Sequence, residues 1–212
     1  MLCGLCDTDI PDGLHLCLEC ESSVEQALVH ESGHALMALL QGITCRGICF
    51  DRDQQKFCTL GPPPKAIEQW SREDYLFSAA GVAAEKVIYG SDHDSGGAGA
   101  DRKDFQSLTA PPFEQTVDQA YEILSGEEIK LRTLTSMLMA KVKRIGFNYS
   151  SLPTTDTDGK RLPVLLNKDE LEAAVHQVYE FVGHSVLNKS DPAVCGQVVE
   201  LGRAGSDSVG GL

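Results

Sequence analysis

The feature that most constrains this fold is an apolar stretch, residues 27–37, that contains the motif His-Glu-x-x-His. On an α-helix, residues four apart lie on the same face, one turn above the other. His30 and His34 can therefore offer two imidazole nitrogens to one zinc ion, while Glu31 lies beside the first of them. Such a metal lowers the pKa of a water molecule, and a carboxylate takes the proton during hydrolysis. The alternative is a core helix whose two histidines have no catalytic role.

The length of the chain indicates its domain organisation, and its net charge limits the partners that it can bind. It has 212 residues and a net charge of −13, which fits one domain of ordinary size with a small appendage. An acidic surface argues against nucleic acid or an anionic membrane as the main partner. The sequence contains no apolar run long enough for a membrane span and no signal peptide at its start. We therefore expect a soluble, cytoplasmic protein.

Two Cys-x-x-Cys pairs lie within the first twenty residues and consist of Cys3, Cys6, Cys17 and Cys20. Paired cysteines at this spacing are typical of tetrahedral zinc sites. So short a segment cannot bury a core, so a metal would have to hold it together. We predict a zinc knuckle over residues 1–22, with a structural zinc ion and a possible role in docking a protein partner. Two disulfides or a redox dithiol are the alternatives.

The apolar pattern after the knuckle predicts a mainly α, α+β fold with a small β-hairpin. Predicted helices span residues 24–40, 72–89, 102–108, 114–145 with a break near 125–126, and 168–187. Ser23 with Gln26, and Ser71 with Asp74, are the predicted capping boxes of the first two helices.

The remaining segments are predicted strands, turns and a tail. Residues 43–51 and 56–60 predict the two strands of the hairpin. Residues 146–161 read as polar and turn-rich, and residues 189–212 are a predicted flexible tail. We expect Cys45, Cys49 and Cys58 to be buried thiols, and Cys195 has no assigned role.

A catalytic zinc usually has three protein ligands, so His30 and His34 require a third. The acidic and histidine candidates are Glu85, Asp92, His93, Asp94 and Asp101. Glu85 lies in a predicted helix, as the third ligand does in many zinc peptidases. Asp101 lies where a glycine-rich loop meets a helix, although it fits a helix N-cap equally well. Residue chemistry alone leaves Glu85 and Asp101 open.

Three stretches together resemble the peptidase domain of FtsH-type proteins. Residues 30–36 are similar to the family's His-Glu-Ala-Gly-His-Ala, and residues 81–90 to its Gly-x-Ala-Ala-Glu-Glu helix with a closing aromatic-Gly. Residues 96–101 are similar to its Thr-Gly-Ala-x-x-Asp. The resemblance covers roughly residues 24–175 and implies a helical, zincin-like peptidase domain, which we place at residues 23–188.

The resemblance also implies roles for individual residues. His30, His34 and Asp101 would bind the catalytic zinc, and Glu31 would be the general base. Glu85 would then lie outside the set of metal ligands and orient one of them.

The chain departs from FtsH-type proteins because it lacks their membrane helices, their ATPase module and a Gly-x-x-x-x-Gly-Lys-Ser/Thr phosphate loop. We therefore expect an ATP-independent zinc metallopeptidase whose substrates are flexible segments or proteins unfolded by a partner. The alternatives are an inert peptidase-like scaffold that binds or regulates a partner through its knuckle, and a zinc hydrolase of another amide. An intact Glu31 favours the peptidase, and a homo-oligomer is compatible with each of the three.

Overall fold

The computed structural model describes residues 3, 6, 8, 9, 16–62, 65–93, 99, 101–106, 110–157 and 160–176. The described helices are α1 (Leu18–Leu40), α2 (Arg72–Tyr89), α3 (Phe113–Ser125), α4 (Glu128–Arg144) and α5, which is described over residues 168–176. The described strands are β1 (Gly47–Asp51), β2 (Lys56–Leu60), β3 (Thr154–Thr157) and β4 (Lys160–Asn167). This content confirms the prediction of a mainly α, α+β fold.

Helix α1 lies at the centre of the molecule because two hydrophobic clusters use opposite sides of it. One cluster joins α1 to α4, α5 and the sheet, through residues that include Leu28, Leu138 and Leu165. The other joins α1 to α2 and α3, through residues that include Leu36 and Leu76. Every residue from 32 to 38 is buried, as expected for a helix that contacts protein on all sides.

Helices α1 and α2 lie in close contact at Gly33. A Cβ atom at this position would lie 2.4 Å from the carbonyl oxygen of Ala80 and 2.5 Å from Cβ of Ala84. The glycine and the small residues opposite it therefore allow the two backbones to come close together. This approach brings the middle of α2 against the part of α1 that contains the His-Glu-x-x-His motif.

The four strands form one antiparallel sheet in the order β2-β1-β4-β3. Strand β1 pairs with β2 through register partners such as Cys49 and Cys58, and with β4 through Ile48 and Leu166. Strand β2 is at the edge of the sheet and lies alongside α1. One side of β2 therefore has no strand partner within the described part of the chain.

The start of α1 was predicted wrongly. The helix begins at Leu18, with Cys17 at its N-cap position, instead of near residue 24. Ser23 is inside the helix, where its hydroxyl donates to the carbonyl oxygen of Glu19, so the capping box predicted with Gln26 does not form. The earlier start places the second Cys-x-x-Cys pair at the beginning of the helix.

Two other parts of the prediction also need correction. The predicted hairpin is one half of a four-stranded sheet, because residues 154–157 and 160–167 form β3 and β4, and β1 begins at residue 47 instead of 43. A short 3-10 helix, Asp101–Phe105, replaces the predicted helix over residues 102–108.

Several predictions of the elements are confirmed. The Ser71 and Asp74 capping box of α2 forms as predicted, and the break in the long helical stretch separates α3 from α4.

Residues 177–212, with the end of the fifth predicted helix, the predicted tail and Cys195, lie outside the described residues. Among the residues that are described, no helix has both the length and the apolar character that crossing a bilayer requires.

Candidate metal centres

Three potential metal donors from distant parts of the chain converge on one point. His30 and His34 come from adjacent turns of α1, and Asp101 begins the short 3-10 helix. The two Nε2 atoms are 3.1 Å apart, and Oδ2 of Asp101 lies 3.1 Å from Nε2 of His30 and 3.7 Å from Nε2 of His34. Metal–ligand bonds of about 2 Å bring ligand atoms to separations of this size. The group can therefore hold a metal ion.

Hydrogen bonds on the far side of each imidazole direct its Nε2 atom toward this centre. Nδ1 of His34 lies 2.7 Å from the carbonyl oxygen of Phe77, and Nδ1 of His30 lies 2.7 Å from Oε1 of Glu85. Because these oxygens can only accept, each Nδ1 atom is the donor. In a neutral imidazole Nε2 then keeps its lone pair for a metal, as in carboxylate–histidine–metal arrangements.

Asp101 gives a separate indication that a cation fits here. Its Oδ2 atom is buried, and when His30 is neutral with its proton on Nδ1, this oxygen has no hydrogen-bond donor among the described residues. A buried carboxylate oxygen without a partner is costly, and a cation held between the three donors removes that cost. Burial disfavours protonation of His30, but the carboxylates of Asp101 and Glu85 outweigh it and raise the pKa of His30 to about 10. An environment that stabilises the protonated imidazole of His30 this strongly also favours a divalent cation in place of the proton.

Glu85 lies behind His30 and not at the centre itself. Its Oε2 atom accepts a hydrogen bond of 2.8 Å from the amide of Gln26 and lies 3.0 Å from Nε2 of His93. Of the candidates for the third ligand, Asp101 is therefore the one that lies at the metal donors. Glu85 lies where it can orient the imidazole of His30. His93 contacts Glu85, Asp92 is exposed, and residue 94 lies outside the described residues.

Gly81 makes room for the first histidine, a role that we did not predict from the sequence. A Cβ atom at Gly81 would lie 2.3 Å from Nε2 of His30 and 2.4 Å from its Cε1. Gly81 and Glu85 are one turn apart on α2, so both face the same imidazole. That four-residue spacing is the sequence signal from which the pair could have been found.

Strand β2 contributes a side chain that contacts the carboxylate of Glu31. The hydroxyl of Thr59 lies 2.8 Å from Oε2 of Glu31 and 2.9 Å from the backbone carbonyl oxygen of the same residue, and both oxygens can accept its proton. A pocket of about 540 Å³ brings the three metal donors together with Glu31 and with residues 56–59 of β2. Thr59 was also missed, because nothing in a short edge strand identifies which hydroxyl will face a site.

The four cysteines of the predicted knuckle form a second candidate centre. Their Sγ atoms all lie within 4.8 Å of one another, and those of Cys6 and Cys17 are 3.5 Å apart. The backbone N–H of Cys17 donates to Sγ of Cys3 at 3.3 Å. Hydrogen bonds from Thr8 lower the pKa of Cys6, which favours the thiolate form that binds metals. None of the cysteines that the structure describes forms a disulfide.

The other cysteines have different surroundings. Cys45 and Cys49 are buried as expected, whereas Cys58 is half-buried and lines the pocket. Burial raises the pKa of Cys49 to about 12 and that of Cys58 to about 11. These two side chains are therefore neutral thiols at physiological pH.

Comparisons with known proteins add no family assignment. No protein-family model matches the chain, and no curated protein sequence matches it. The case for a function therefore rests on the residues and on their geometry.

Proposed function

We propose that this protein is an ATP-independent zinc metallopeptidase that hydrolyses peptide bonds. One observation supports this most strongly: three converging metal donors lie in the same pocket as the carboxylate of Glu31. The donors point their free atoms at one another, and the carboxylate next to them is available as a base. This combination is what metal-assisted hydrolysis of an amide requires.

His30, His34 and Asp101 would hold the zinc ion, because two imidazoles and a carboxylate are a common catalytic zinc set. When bound, zinc supplies a Lewis acid that polarises a peptide carbonyl and lowers the pKa of water. The same donors also suit iron(II). Glu31, which follows His30 on the same helix, favours hydrolysis, because cleavage of a peptide by water needs a base at that place.

Glu31 would move the proton in this reaction. One of its carboxylate oxygens, Oε2, is held by the hydroxyl of Thr59, so Oε1 is the oxygen left for water. That oxygen would take a proton from the attacking water and then give it to the departing amine. Thr59 would therefore help to orient the base.

The edge strand β2 would bind the substrate. An extended peptide can add to an open sheet edge through main-chain hydrogen bonds, and pockets beside the edge then select side chains. Residues 56–59 of β2 line the pocket that contains the metal donors. Because this mode needs an extended chain, we expect flexible segments and unfolded proteins as substrates.

The variant Glu31→Gln tests the mechanism. It keeps the size of the side chain but removes the base, so cleavage of unfolded casein should fall by at least about 100-fold. Zinc content, measured by native mass spectrometry, should not change. Glu25→Gln is the matched control, since Glu25 is exposed on the same helix and does not line the pocket. Undiminished cleavage by Glu31→Gln would rule out this mechanism.

Metal content tests the third ligand. Asp101→Ala should lose one zinc ion, whereas Glu85→Ala should keep it with lower affinity. The reverse result would make Glu85 the ligand. A protein that holds zinc but shows no Glu31-dependent cleavage would instead fit a binding scaffold.

A further inference from the structure

Three of the four clustered cysteines, Cys3, Cys17 and Cys20, pack in or against the hydrophobic core of the described structure. Cys3 is 1% exposed and lies in the hydrophobic cluster that also contains Leu16 and Val24. Cys17 occupies the N-cap position of α1, and Cys20 is in its first turn. A metal bound by these cysteines would therefore be attached directly to the helix that contains the proposed catalytic residues.

The first turn of α1 has two kinds of support in the described structure, the cysteine cluster and the ion pair between Glu21 and Lys143 of α4. The N-cap residue, Cys17, makes no side-chain hydrogen bond to the helix, so its side chain satisfies none of the free N–H groups of the first turn. Leu18 is 83% exposed, so it adds little packing at this end. Four thiolates around one metal would fix both Cys17 and Cys20 and so hold the turn in place.

The turns that follow form one wall of the substrate pocket. Cys20 and His30 are ten residues apart on one continuous helix, a distance of about 15 Å. Between them, Ser23, Gln26 and Ala27 line the pocket. Gln26 also donates to Glu85, which in turn holds His30.

We propose that Cys3, Cys6, Cys17 and Cys20 bind a second zinc ion, and that this ion keeps the wall formed by Ser23, Gln26 and Ala27 in position for substrate binding. When the ion is lost, the first two turns of α1 loosen and substrate affinity falls. The chemical step is affected much less, because His34 contacts the carbonyl oxygen of Phe77 and Glu31 contacts Thr59, both outside these turns. The kinetic part of this inference rests on the proposed peptidase function, and the structural part does not.

The variant Cys6→Ser in the full chain tests the inference, because Cys6 is exposed and its replacement leaves the core unchanged. Native mass spectrometry should find one zinc ion where the wild type has two. Amide hydrogens of residues 18–27 should exchange about tenfold faster, while those of the buried residues 32–38 should not change. KM for an unfolded peptide should rise roughly fivefold, with kcat within about twofold of the wild type.

Two controls keep these outcomes distinct. Cys45→Ala removes a buried cysteine outside the cluster and should keep two zinc ions and the wild-type KM. Stepwise removal of zinc from the wild type with a chelator repeats the exchange measurement without any substitution.

Each outcome decides one part of the inference. An unchanged zinc count in Cys6→Ser would overturn the metal site. Loss of zinc with unchanged exchange over residues 18–27, or with lower kcat at constant KM, would overturn the coupling to the pocket. A wild type with two zinc ions and no peptidase activity would contradict the proposed function alone, since the exchange measurement would still decide the structural part.

Discussion

At the scale of single residues, Gly81 determines whether the metal centre can form. Its missing side chain leaves the space that the imidazole of His30 occupies, and any Cβ atom there would overlap the ring. In a helix, replacing glycine by alanine usually adds up to about 1 kcal/mol of stability. At Gly81 the overlap with His30 should reverse that gain.

Gly81→Ala should therefore weaken zinc binding by about 10-fold to 100-fold, the range found when the support of a ligand is disturbed. A competition titration against a zinc indicator measures this change. Gly126→Ala is the control, because Gly126 has a φ of −68° and its nearest contact is an ordinary 3.5 Å. Wild-type zinc affinity in Gly81→Ala would contradict this account of the site.

The residues of the site differ in how far the sequence alone could identify them. His30, Glu31 and His34 follow from helical spacing, because their contacts are local. Asp101 lies 67 positions beyond His34 in the chain. Without the family resemblance, residue chemistry did not distinguish Asp101 from Glu85 as the third ligand. The backbone carbonyl of Phe77 and the hydroxyl of Thr59 are set by tertiary contacts that no local pattern encodes.

At the scale of elements, the start of α2 contains a buried, ionised capping residue. Burial works to raise the pKa of Asp74, but hydrogen bonds from Ser71 and the ammonium group of Lys65 outweigh burial and lower that pKa below its usual 3.8. A carboxyl group with a lowered pKa in the folded state stabilises the fold at pH values above 3.8. This stabilisation is lost as the pH falls through the lower, folded-state pKa.

Asp74→Asn should remove this pH dependence. Between about pH 5.5 and about pH 3.5, the wild type should lose more of its free energy of unfolding than the variant does. Urea denaturation of the metal-free protein measures the difference without a contribution from metal release. Asp118→Asn, at an exposed position on α3, should follow the wild type. Equal pH dependence in Asp74→Asn and the wild type would show that the capping carboxyl is not a source of this stability.

The sheet was the hardest set of elements to predict. Strand β4 lies between β1 and β3 and contains Pro163, which argues against a central strand because proline has no N–H to donate. Strand β3 is short and polar, so residues 154–157 looked like part of a turn. The capping box of α2, by contrast, was predictable because all of its hydrogen bonds are local.

At the scale of the whole molecule, two candidate metal centres are attached to one central helix. A ligand that binds only the folded state stabilises it by an amount that grows with ligand concentration, about 2.7 kcal/mol at 100 times Kd. Each candidate centre uses donors that only the folded chain brings together, so a metal bound at either one should stabilise the folded state.

The melting temperature should therefore rise with zinc concentration and fall when a chelator is added. Differential scanning calorimetry measures this shift, and Asp101→Ala should keep the part that is due to the cysteine cluster. Magnesium is the control metal, because it prefers oxygen ligands to imidazole and thiolate. A melting temperature that does not depend on zinc would contradict both metal centres.

The strand order also determines when the substrate-binding edge proposed for β2 can form during synthesis of the chain. Strand β1 needs β4 as its second neighbour, and the cluster beneath the sheet includes Leu165 and Leu171. A lone β1–β2 hairpin is marginally stable in water. The edge that would bind substrate therefore forms only after the ribosome has released the chain beyond residue 171. Until then, a nascent chain would lack the substrate-binding edge of the proposed peptidase.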